Sequence, residues 1–131
     1  MNLFLTEDGV LKLGYYGLAT QEECCSVKKT DCDESYRFLP EVENGEHDMK
    51  SDVWSLGISL IEMVRGENPY DGTDASYIQG SVDNKESPSL SSSEWSAAFV
   101  DFVSKCLAKD VSERWSVSEL LGVGECEGDD E

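Results

Sequence analysis

Residues 51–66 constrain this chain more than any other stretch, because they carry apolar side chains around most of a helix. Val53, Trp54, Leu56, Ile58, Leu60, Ile61, Met63 and Val64 all fall within it. A helix apolar nearly all round belongs in a core rather than on a surface. Ser51 or Asp52 suits its start and Gly66 its end. The chain has 131 residues, enough for one small domain, so everything else must wrap this helix. Such a domain can bury one core, but it has little stability to spare if a surface meant for a partner stands open.

The flanking segments predict a mainly α architecture with a small N-terminal β-hairpin. Leu3-Phe4-Leu5 and Val10-Leu11-Lys12-Leu13 read as short strands joined through Thr6-Glu7-Asp8-Gly9, where Asp-Gly is a strong turn signal. Residues 19–48 show no sustained period and are rich in Glu, Asp, Lys, Cys and Ser. A loop of that length in a compact domain is functional or disordered. Asn68-Pro69-Tyr70-Asp71-Gly72 is a turn cluster. Residues 74–82 suggest a short helix, and residues 84–93 a polar, serine-rich loop. In residues 94–109 Trp95, Phe99, Phe102, Val103, Cys106 and Leu107 recur at helical spacing. Residues 116–121 suggest a last turn or two, capped by Ser116 or Ser118. The expected division is one domain over residues 1–122 and an acidic, disordered tail over 123–131.

Ten basic and 28 acidic side chains give a formal charge of −18. That charge opposes nucleic acid and anionic membrane surfaces, whose phosphates are contacted mainly by Lys and Arg, and it favours basic protein partners. No apolar stretch is long enough to cross a bilayer, and no secretory signal opens the chain. The cysteines Cys24, Cys25, Cys32, Cys106 and Cys126 are odd in number, which fits reduced thiols and a cytoplasmic location. Cys24, Cys25, Cys32 and His47 match no standard zinc spacing, so no metal site is expected from them. His47 is the only histidine and has no paired nucleophile in view. Trp54, Trp95 and Trp115 read as core or interface anchors rather than as a stacking platform for nucleic acid. Tyr15 and Tyr16, which follow a strand, are expected to fill core space.

Several segments occur together in an order and at separations that resemble the protein kinase family. Asp52-Val53-Trp54-Ser55-Leu56-Gly57 resembles the D-x-W-S-x-G that opens the central helix of the large lobe. Leu39-Pro40-Glu41 resembles the A-P-E closing the activation segment, and Glu41 precedes Asp52 by eleven residues. Pro69-Tyr70 follows the helix as the family's P-[FPY] does. Cys106-Leu107-Ala108-Lys109-Asp110 and Arg114 resemble C-L-x-K-D/x-P-x-x-R-P, with Val111 and Trp115 in place of the two prolines. Asn2-Leu3-Phe4-Leu5 resembles the N-[IL]-L-[IL] that follows the catalytic loop. The resemblance runs from Asn2 to about Leu121 and is nearest to the sterile-20-like and mitogen-activated-protein-kinase-kinase groups of Ser/Thr kinases. It implies a kinase-like large-lobe fold with a long activation-type loop. It also implies that Glu41 pairs with Arg114, whose planar fork suits a carboxylate, and that Asp52 accepts backbone hydrogen bonds from the catalytic loop. With no such loop in these residues, Asp52 is left to cap its own helix or to go unsatisfied, at a cost if it is buried.

The resemblance departs from the family where the chemistry lies. Phosphoryl transfer needs a glycine-rich loop, a strand lysine, a catalytic aspartate, and an Asn and an Asp that hold magnesium. The first three do not occur in these 131 residues. Asn2 stands at the magnesium-binding Asn, and Tyr15-Tyr16-Gly17 stands where relatives read D-F-G. A tyrosine is neutral at pH 7 and does not replace a carboxylate on a hard cation. Asp33 and Glu34 replace the Gly and Thr that help seat a substrate hydroxyl. Ser26, Thr30 and Ser35 are read as ordinary polar loop residues. The expected function is therefore a kinase-like domain without catalytic residues, acting through a protein partner such as a kinase or another signalling protein. Mg-ATP is implied by the family alone and is not expected as a cofactor of this chain. The alternative is part of an ATP-dependent Ser/Thr kinase whose other half lies elsewhere.

Overall fold

The computed structural model describes residues 3–14, 16, 49–70 and 86–122. The activation-type loop over 19–48, the helix expected over 74–82 and the acidic tail over 123–131 lie outside the described residues. Within them the chain runs through a hairpin and three helices, which matches the expected mainly α architecture.

Strands β1 (Leu3–Leu5) and β2 (Leu11–Leu13) pair antiparallel, with Leu3 opposite Leu13, Phe4 opposite Lys12 and Leu5 opposite Leu11. The turn forms where Asp8-Gly9 placed it. Gly9 takes φ of 79° and donates its N–H to the Thr6 carbonyl at 3.0 Å. The Thr6 hydroxyl accepts from Val10 N–H at 2.9 Å, which closes the loop. Strand alternation puts Leu3, Leu5, Leu11 and Leu13 on one face. Leu5, Leu11 and Leu13 are exposed.

Helix α1 (Lys50–Arg65) is the central run read from the sequence. Gly66 ends it in the left-handed region, φ 76°, and donates its N–H to the Glu62 carbonyl at 2.8 Å. The start differs from expectation. Met49 occupies the N-cap without a side-chain hydrogen bond, so neither Ser51 nor Asp52 caps the helix. Ser51 is buried in the first turn, and Asp52 is exposed there, where a negative charge complements the helix dipole. The helix is also less enclosed than its composition suggests. Val53, Trp54, Ile58 and Ile61 are buried, Leu60 and Val64 are partly buried, and Met63 is exposed.

Helix α2 (Ala97–Cys106) is shorter than the amphipathic stretch that predicted it. Ser96 caps it by accepting from Phe99 N–H at 3.3 Å. Glu94 and Trp95 instead donate their N–H groups to the Ser91 carbonyl, each at 3.1 Å, in a turn that precedes the helix. Trp95 is partly exposed and meets Phe99 edge to face at 5.7 Å. Helix α3 (Val117–Gly122) opens on a reciprocal cap. Glu119 N–H donates to the Ser116 hydroxyl at 3.3 Å, and Ser116 N–H donates to the Glu119 carboxylate at 2.7 Å. Ser116, and not Ser118, is therefore the cap.

The core lies between α1 and α2. Val53, Trp54, Ile58 and Ile61 pack with Val103, Cys106 and Leu107, joined by Tyr70, Leu90 and Leu120. Full burial of an aliphatic side chain of this size stabilises by about 1.5–3 kcal/mol, so this cluster dominates the energetics of the helical part. Gly57 permits the close approach. A Cβ there would lie 2.7 Å from Cγ and Cδ2 of Leu107 and 2.9 Å from Cβ of Cys106.

Candidate functional site

The most organised polar site joins the start of α1 to the segment between α2 and α3. At its centre is Arg114, a fully buried cation. A buried charge is costly unless its donors find partners. Arg114 Nε donates to the Ala108 carbonyl at 2.9 Å, one terminal nitrogen to the Lys50 carbonyl at 3.1 Å, and the other to the Lys109 carbonyl at 3.3 Å. These bonds do not exhaust its interactions. Its guanidinium carbon lies 5.1 Å from the centroid of the Trp54 ring, which is within cation–π range. Arg114 thus binds its own loop, the first residue of α1 and the central tryptophan at once.

Local sequence prepares this geometry. The Asp110 carboxylate accepts from the Ser112 hydroxyl at 2.7 Å and from Ser112 N–H at 2.8 Å, an Asx turn. The Asp110 carbonyl accepts from Arg114 N–H at 2.9 Å and from Glu113 N–H at 3.0 Å. The turn winds the chain so that Arg114 points back under α1. The Ser112 hydroxyl, and then its backbone N–H, hold the Asp110 carboxyl below its ordinary range. Lys50 closes the junction from the other side by donating Nζ to the Val111 carbonyl at 2.9 Å. Lys50 and Arg114 therefore make reciprocal contacts, each donating a side-chain hydrogen bond to backbone of the other's segment.

Three further groups border the junction. Trp54 is fully buried, and its indole N–H finds no hydrogen-bond acceptor among the described residues. Burial pushes the Cys106 thiol up to about 11, so it stays protonated and unreactive near neutral pH. Trp115 N–H donates to the Lys105 carbonyl at 3.3 Å, and Lys105 Nζ sits 3.9 Å from the Trp115 ring centroid. Lys105 also pairs with Asp101 one turn earlier on α2.

The structure brings together some of the expected site residues. Trp54 and Arg114 meet in the core. Asp52 lies on the same helix with its side chain exposed, so burial imposes no cost on it. Glu41, Asn2 and Tyr15 lie outside the described residues, as do Cys24, Cys25, Cys32 and His47. Tyr16 corrects an expectation: it is 67% exposed, and its hydroxyl donates to the Leu13 carbonyl rather than packing in the core. That bond fixes the ring against the strand it follows. Among the described residues no three His, Cys, Asp or Glu side chains converge on a possible metal position. Among them also, no helix is long and apolar enough to cross a membrane.

Two contributors were not singled out in the sequence. Lys50 gave no signal, because its acceptor is a backbone carbonyl 61 residues away. Glu119 could have been found from its place three residues after Ser116, the spacing of a capping box.

The chain is similar to known proteins over most of its length. The family model described as protein kinase domain matches residues 1–123. The chain is 36% identical over 122 residues to the serine/threonine-protein kinase pakH of Dictyostelium discoideum, an overlap covering 92% of this chain and 24% of that protein. It is 38% identical over 124 residues to the serine/threonine-protein kinase Tao of Drosophila melanogaster, covering 92% of this chain and 12% of that one. It is 35% identical over 123 residues to the serine/threonine-protein kinase hippo of the same fly, covering 92% and 18%. The chain thus spans between 12% and 24% of the length of these relatives.

Proposed function

The chain belongs to the protein kinase domain family, and from that premise we propose that it is a large-lobe domain that does not transfer phosphate and acts by binding another protein. The observation that carries this reading is Tyr15, which stands where the family's D-F-G places the aspartate for magnesium. A neutral phenol is a poor ligand for a hard divalent cation, which takes carboxylate and carbonyl oxygens. Asn2 is then the one remaining side chain of the family's magnesium pair in this sequence, so the donor set does not fit Mg-ATP. The other parts that position and stabilise a transferring phosphoryl group do not occur in the 131 residues. What the chain does contain is the frame: the D-x-W-S-x-G helix start, the buried Arg114 and the Leu39-Pro40-Glu41 segment. On this reading Glu41 supplies the carboxylate that offsets the Arg114 charge. The formal charge of −18 favours a basic protein partner and opposes nucleic acid and anionic membranes. A cytoplasmic location fits this role.

Titration calorimetry with Mg-ATP tests the reading. The expected result is no saturable heat up to millimolar nucleotide, and tight magnesium-dependent binding would overturn it. The relatives' much greater length favours a second reading. In it the chain is one part of an ATP-dependent Ser/Thr kinase whose small lobe and catalytic loop come from further sequence or another chain. That reading requires a polypeptide bearing a glycine-rich loop and a catalytic aspartate to confer phosphate transfer when combined with this chain. Failure of the combination would exclude it.

A further inference from the structure

We draw no further inference here: the strongest candidate, the apolar face of the N-terminal hairpin on which Leu5, Leu11 and Leu13 are exposed beside a half-buried Leu3, has no partner among the described residues, and nothing among them shows what covers it.

Discussion

Replacing Gly57 by alanine sets two opposing effects against each other. Helix propensity alone favours the change, because alanine in a helix interior is better than glycine by about 1 kcal/mol. Packing opposes it. The new methyl would sit 2.7 Å from two carbons of Leu107 and 2.9 Å from Cβ of Cys106, whereas carbon atoms rest about 3.5–4.0 Å apart. Leu107 and Cys106 are both buried and have no solvent to move into. Overpacking of this kind costs about 1–3 kcal/mol, and an overlap near 1 Å against three atoms belongs at the upper end. The net expectation is a loss of about 1–2 kcal/mol. Urea unfolding followed by far-UV circular dichroism measures it as a lower midpoint at unchanged slope. A cycle with Leu107→Ala isolates the contact. The single Leu107 change should cost about 2–5 kcal/mol by leaving a cavity. In the double variant the alanine at 57 should be at least about 1 kcal/mol less damaging than in the parent, because most of the obstructing atoms are gone. Stabilisation of the parent by Gly57→Ala, or strict additivity of the pair, would refute close α1–α2 packing as the reason for this glycine.

Arg114→Lys should destabilise by about 3–5 kcal/mol, since one ammonium cannot reach the three carbonyls that the guanidinium holds; thermal unfolding would show it, and a neutral result would remove Arg114 from the junction. Cys106 should resist iodoacetamide at pH 8 in the native protein and react readily in urea, as peptide mapping would show, because burial holds its thiol up to about 11. The Ser116 backbone N–H, and then its hydroxyl, hold the Glu119 carboxyl below its ordinary range. Its stabilising contribution is therefore full above the ordinary carboxyl range of the unfolded chain and is lost as pH falls through the lower folded value. Glu119→Gln should flatten that acid limb of the stability–pH curve, and an unchanged limb would exclude the capping box as its source.

Much of this fold is legible because its signals are local. The hairpin follows from Asp8-Gly9 between two apolar triplets, and the φ of 79° at Gly9 is the conformation that turn requires. Helix α1 follows from its density of apolar residues and from Gly66. Its start does not, because Lys50 is drawn into the first turn by contacts with Val111 and Arg114 across more than sixty residues. No window of sequence contains both ends of those bonds. Helix α2 begins late because the Ser96 hydroxyl accepts the Phe99 N–H as its cap, while Glu94 and Trp95 belong to the turn closed on the Ser91 carbonyl. Tyr16 lies in the open because its hydroxyl finds an acceptor on the adjacent strand, a choice that aromatic character alone does not reveal. At the site, the pattern of Asp52 to Gly57 and Arg114 names two residues, Trp54 and Arg114, that lie together in the core. It did not show that Arg114 works chiefly on backbone carbonyls among the described residues, since carbonyls are present at every position and mark none.

The most direct test of the central claim is phosphate transfer from magnesium-bound, γ-labelled ATP to a basic protein substrate by the purified chain. Incorporation should be no greater than in a control without the chain. The same should hold for Tyr15→Asp, which restores the missing carboxylate but not the other catalytic parts. Incorporation that rises in proportion to the amount of this chain and falls on Asn2→Ala would contradict a non-catalytic role.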